Sequence, residues 1–244
     1  MSLNQINVQL NDAFETYFPP QNPVVRLLHG AGTMGVTWAL TLRTKLFGGK
    51  LLVNERIVEY PQILRWLPPQ GVVLDIGCVS SRLPIQLASL GYTVHGLDVR
   101  PYGFSHPNFT FHQTDLFRWT PPQLFDTILL VSVIEHFGIG GYGDTKAEEA
   151  DFAALNKITQ WLAPGGQLFV SLPYGKAGIT TKHRIYDQAR LARLFQPFDW
   201  VAQAYFQRIN NAWQPSTPTA LEAVASPDLP PNGVAVLHFR AKQV

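Results

Sequence analysis

The chain has 244 residues, 46% of them hydrophobic and 15% charged, with a formal net charge of +2. That composition supplies a sizeable core and excludes a disordered chain. The balance of 19 basic against 17 acidic residues, without a Lys/Arg cluster, offers no nucleic-acid surface. The lone cysteine, Cys78, allows no internal disulfide and fits a reducing, cytoplasmic setting. No apolar run approaches the ~18 residues of a membrane span, and no basic stretch with an apolar core marks a secretion signal.

Residues 1–66 read as an N-terminal helical extension or cap, and 67–244 as the main domain. Apolar spacing predicts helices over 3–18, 36–46 and 51–67, stopped by Pro19-Pro20, Gly48-Gly49 and Pro68-Pro69. From Gly71 onward strands and helices alternate. Strands are expected at 72–76, 93–97, 109–112, 125–132, 167–172, 199–207 and 233–240, and helices at 82–90, 145–162 and 188–195. Gly91 suits the C-terminus of the first of these helices, and Asp187 the N-cap of the last. Strands separated by crossovers imply an α/β fold with a mostly parallel sheet and helices on both faces. The last two strands lack a helix between them. A Pro-rich stretch, 214–232, joins them, so a final antiparallel hairpin with a long inserted loop is expected.

Val72-Val73-Leu74-Asp75-Ile76-Gly77-Cys78 is a buried-strand run ending in an acid and a tight turn, and the next strand ends in Asp98. Strand, turn, helix, strand and acid in this order suit an adenosine. Thr114-Asp115-Leu116 follows the third strand. Phe125 to Val131 leads into Ser132-Val133-Ile134-Glu135-His136, and Pro164-Gly165-Gly166 precedes the fifth strand. In this order the segments resemble the motifs of class I S-adenosylmethionine-dependent methyltransferases over roughly residues 71–244.

The resemblance implies a Rossmann-like sheet of seven strands with the last antiparallel, and S-adenosylmethionine as cofactor. It implies that Asp75, Gly77 and Cys78 face the cofactor's amino-acid end, that Asp98 clamps the ribose with Val99 beside it, and that Asp115 and Leu116 hold the adenine. Val131 and Ser132 then lie over the methionine portion. Two glycines of the family turn are replaced, by Val79 and Ser81. A β-branched residue at positive φ is an outlier, so Val79 is expected at negative φ in a reshaped loop, with Ser80 and Ser81 capping the next helix.

Methyl transfer to an oxygen or nitrogen nucleophile needs the acceptor positioned and its proton removed. His136, then Glu135, are the candidate bases. Tyr142, Tyr174, His183 and Arg184 are candidates for binding a small-molecule acceptor. No metal site is expected, and the chain is read as a monomer or homodimer without membrane or nucleic-acid partners. A non-catalytic nucleoside-binding regulator is the alternative. A further one is an NAD-dependent dehydrogenase. Gly30-Ala31-Gly32-Thr33-Met34-Gly35 matches Gly-x-Gly-x-x-Gly with Glu55 downstream, and resembles the fingerprint of hydroxyacyl-CoA dehydrogenases. It lacks a strand set of its own before Pro68.

Overall fold

The computed structural model describes residues 53–140, 147–224 and 232–242, with isolated helical positions at 24, 35, 38, 39, 42 and 45. The helix expected over 3–18 and most of the Gly30–Gly35 motif lie outside the described residues. The chain divides into two compact units, Met1–Leu52 and Val53–Val244. The helix at 56–66, read from sequence as part of the extension, therefore belongs to the second unit.

That unit carries α1 (Arg56–Trp66), β1 (Val72–Ile76), α2 (Leu83–Ser89), β2 (Thr93–Asp98), β3 (Phe109–Gln113), β4 (Phe125–Val131) and α3 (Ala150–Thr159). It continues with β5 (Leu162–Pro173), the short pair β6 (Gly178–Ile179) and β7 (Arg184–Ile185), and α4 (Gln188–Leu194). Last come β8 (Phe198–Ile209), β9 (Ala212–Pro215), α5 (Pro218–Glu222) and β10 (Gly233–Ala241). The main sheet has eight strands in the order β3-β2-β1-β4-β5-β10-β8-β9. β1 to β5 are parallel, while β10 runs antiparallel to both β5 and β8. Seven of the eight strands match the sequence reading. The eighth, β9, turns back on β8 at Asn210 and Asn211, both at positive φ, and overlaps the start of the 214–232 stretch read as loop. Asn tolerates the left-handed region better than other side chains, so it forms the tight turn.

Side chains alternate across the buried strands. Leu74, Ile128, Leu130, Val170 and Leu237 face α3 and α4 through Leu155, Ile158, Leu191 and Leu194. Val73, Leu129, Val131, Phe169 and Val236 face α1 and α2 through Ile63, Leu83 and Leu87. Helices thus cover both faces. Gly91 closes α2 at φ 97, its N–H bonding the Ala88 carbonyl while the Tyr92 N–H bonds that of Leu87. Those two bonds make a Schellman ending. Asp187 caps α4 by accepting the Arg190 N–H at 2.8 Å. β5 begins earlier than expected. It pairs with Phe125 through Leu162 and then bulges over the Pro164-Gly165-Gly166 turn before pairing resumes at Gln167. No helix among the described residues is long and apolar enough to cross a membrane.

Candidate active site

The strand order reverses between β1 and β4, and open α/β sheets bind ligands at that point, outside the carboxyl ends of the strands. A cavity of about 460 Å³ lies there. The strand ends supply Ile76 and Gly77, Leu97 and Asp98, Ser132 and Val133, and Pro173. Thr114 to Phe117, Glu135 to Phe137 and His183 add to the wall, with Glu55 and Arg56 of the α1 entry.

Gly77 turns the chain out of β1 at φ 73, and a Cβ there would meet Val133 Cγ2 at 2.5 Å. Only glycine fits both the backbone and the space. Val79 lies in the short 3-10 turn that follows and is not among the residues lining the cavity. Ser81 Oγ accepts the Leu83 N–H at 2.9 Å and the Tyr60 hydroxyl at 2.8 Å. The serine in place of glycine therefore caps α2 and ties it to α1. Ser80 instead accepts from Arg100.

Asp98 ends β2 and is buried, with both carboxylate oxygens engaged by Arg100 and the Val79 N–H. Asp115 Oδ1 accepts the Phe117 N–H at 2.7 Å, which fixes the turn carrying Leu116. Val99, Asp115 and Leu116 all line the cavity. Asp75, Cys78 and Val131 do not. Cys78 is packed under Gly96, and burial pushes its thiol well above the usual range, so it stays neutral. The Val131 carbonyl accepts from Arg56 at 3.2 Å.

Among the site residues that the sequence reading missed are Arg56 and Arg100, which line the cavity, and Glu59, which pairs with Arg56. Arg56 Nη1 donates to Glu59 Oε2 at 2.7 Å, and Glu59 Oε1 accepts the Ser132 hydroxyl at 2.7 Å. Ser132 sits at φ 50, a region costly for a non-glycine residue, and is held there by Ser171 and Glu59. The warning in the sequence was Glu59 itself. It lies four residues before Ile63, on the apolar face of the helix, where an acid needs a partner.

Glu135 follows β4 in a 3-10 turn and is buried, with Oε2 without a hydrogen-bond partner. Burial raises its carboxyl well above the ordinary range, and the nearby Glu59 and Glu55 add to the rise while Arg56 opposes it. His136 lies beside it, with Nε2 at 3.9 Å from Glu135 Oε1 and Nδ1 at 2.8 Å from the Lys182 carbonyl. A carbonyl can only accept, so Nδ1 carries the ring proton and Nε2 is the basic nitrogen of the neutral ring. His183 lines the cavity.

The other acceptor candidates lie elsewhere. Tyr174 is buried and donates to Glu222, packed against Tyr205. Arg184 is buried beside Asp151, which also binds Arg190 and the Tyr186 hydroxyl. Tyr142 lies outside the described residues.

Over residues 117–220 the chain matches the family described as a Caenorhabditis protein of unknown function, DUF268. None of the curated proteins matches it. Among solved structures it is similar to a 1,6-didemethyltoxoflavin-N1-methyltransferase of Burkholderia thailandensis with bound 1,6-didemethyltoxoflavin and S-adenosylhomocysteine. Identity is 15% over 94% of this chain and 93% of that one, with a TM-score of 0.53. The N-methyltransferase NodS of Bradyrhizobium japonicum, in complex with S-adenosylhomocysteine, aligns at 17% identity over 71% of this chain and 79% of that one, TM-score 0.50. An S-adenosylmethionine-dependent methyltransferase of Methanosarcina mazei aligns at 14% identity over 75% and 97%, TM-score 0.50. With five parallel strands, an inserted antiparallel strand and the reversal at β1 and β4, the chain has the fold of the class I S-adenosylmethionine-dependent methyltransferases.

Proposed function

We propose that the cavity binds S-adenosylmethionine and that the chain moves its methyl group to an oxygen or nitrogen nucleophile of a small-molecule acceptor. One observation carries the reading: a single cavity at the strand reversal joins the Asp98 strand end to the Glu135-His136 turn. The residues fit the cofactor's parts. Asp98 suits the ribose, and Asp115 with the Leu116 N–H suits the adenine. The Gly77 turn, where a side chain would collide with Val133, leaves backbone open to the amino-acid end. Two structures with this fold were solved with S-adenosylhomocysteine bound, which agrees.

When bound, S-adenosylmethionine supplies an electrophilic methyl group on a sulfonium. The protein's work is to place the acceptor in line, exclude water and take a proton. Phe117, Phe137 and Pro173 give the cavity an apolar wall near the Glu135-His136 turn. His136 Nε2 takes the acceptor's proton, with Nδ1–H anchored on the Lys182 carbonyl to hold the ring's tautomer and tilt. Glu135 Oε1, 3.9 Å from Nε2, faces the positive charge that then develops on the imidazole, and that charge opposes the rise burial gives its carboxyl.

The test is calorimetric titration with S-adenosylmethionine and S-adenosylhomocysteine, followed by turnover over a panel of amines, phenols and alcohols. His136→Ala is expected to lower kcat by about 10²–10⁴-fold while leaving S-adenosylhomocysteine affinity in place. Turnover unchanged in both His136→Ala and Glu135→Gln removes the base assignment. Binding without turnover on any acceptor supports the regulatory alternative. NADH binding in place of the sulfur nucleosides overturns the proposal.

A further inference from the structure

Asp98 has a side chain only 4% exposed, and each of its acceptor positions is taken. Oδ1 accepts the Arg100 N–H at 3.0 Å and Arg100 Nε at 3.1 Å. Oδ2 accepts the Val79 N–H at 3.0 Å and Arg100 Nη2 at 3.0 Å. A carboxylate offers about four lone-pair sites, so this one is saturated. Two of its donors are main-chain groups fixed by the loops after β1 and β2. The other two, one on each oxygen, belong to the Arg100 guanidinium.

A ribose cis-diol bonded by one carboxylate needs one acceptor site on each oxygen. Those are the two sites the guanidinium holds. We propose that Arg100 is a latch on the nucleoside subsite, its side chain competing with the ribose hydroxyls for Asp98. The proposal rests on the cofactor reading above. The geometry allows the exchange without disturbing the loop. The Arg100 side chain is 41% exposed, and its Nη1 also donates to the exposed Ser80 hydroxyl at 3.1 Å. When the side chain swings out, the Arg100 N–H and the Val79 N–H still hold the carboxylate in place. Arg100 also lines the cavity, so its guanidinium swings along the cavity wall. Nucleoside affinity is then reduced by the fraction of molecules in which the latch is closed.

The experiment titrates S-adenosylhomocysteine, adenosine and 2′,3′-dideoxyadenosine into the wild-type chain, Arg100→Ala and Arg100→Lys. Arg100→Ala is expected to bind S-adenosylhomocysteine and adenosine about three- to tenfold more tightly, the scale of a half-exposed ion pair. Arg100→Lys should fall between, because an ammonium cannot reproduce the two-pronged contact. The dideoxy analogue should gain nothing, and the difference between wild type and Arg100→Ala should shrink at high salt. Equal or weaker adenosine binding by Arg100→Ala, with the wild type binding normally, overturns the latch and leaves the cofactor reading standing. Absence of binding by all three proteins overturns both.

Discussion

Burial pushes the Asp75 carboxyl up from 3.8 to about 7, with Arg56 opposing the rise and Asp98 adding to it. An acid raised in the folded state keeps its proton where the unfolded chain has lost it. Its contribution is therefore greatest below about pH 4 and is lost as pH climbs towards 7. The amount at stake is on the order of a few kcal/mol. Asp75→Asn should flatten the decline in melting temperature between pH 4 and 7, and should be the more stable protein at the upper end. An unchanged slope in a pH series of thermal melts would show that Asp75 does not titrate this way. Individual residues were legible in sequence where strand position alone determines them. Asp98 ends β2, and Asp115 and the Glu135-His136 pair follow β3 and β4 within a few residues, so the order of strands along the chain brings them to the cavity. Tyr174 and Arg184 were not legible. Their fate depends on Glu222 and Asp151, partners 48 and 33 residues away, and no local pattern announces them.

α1 shows how an element is held by chemistry as well as by its apolar face. Ile63 seats it on the sheet, Tyr60 reaches Ser81 at the start of α2, and Glu59 joins Arg56 to Ser132 beyond β4. Removing the fully buried Glu59 strands the Arg56 charge, so Glu59→Ala should cost about 3–5 kcal/mol in chemical denaturation. A loss below about 1 kcal/mol, typical of a surface pair, would refute that role. The long strands were readable because continuous Val, Ile and Leu runs have few other homes. β6, β7 and β9 were not, since two or four residues carry no periodicity. α5 did leave a signal in its loop. Thr217 caps the Ala220 N–H and Pro218 opens the helix, a start that the Pro-rich composition masked.

At the scale of the molecule, the cavity spans parts of the chain that only the folded sheet brings together, from Glu55 to Val234. A ligand that bridges them binds the native state and not the unfolded one. At a hundredfold excess over Kd, S-adenosylhomocysteine should add about 2.7 kcal/mol. For a unit of this size that is a rise in melting temperature of roughly 5–10 °C. NADH at equal concentration should leave the melt unmoved. A shift with NADH alone would favour a dinucleotide ligand over the sulfur nucleoside. Sequence patterns conveyed the parallel half of the sheet and the antiparallel insertion. They could not convey the size of the closing hairpin, which depends on pairing between β8 and β9.

The position of β10 bears on how the protein is made. Residues 233–241 sit between β5 and β8, bonded on both sides and buried along nearly their whole length. A ribosome that has already delivered β1 to β5 has produced a parallel sheet whose β5 edge is bare, and β8 cannot reach its place until the intervening strand arrives. For several seconds of synthesis, at roughly 5–20 residues per second, that edge is an open template for another nascent chain. Chains interrupted before residue 233 are thus the ones expected to aggregate, and the first clients a chaperone would meet.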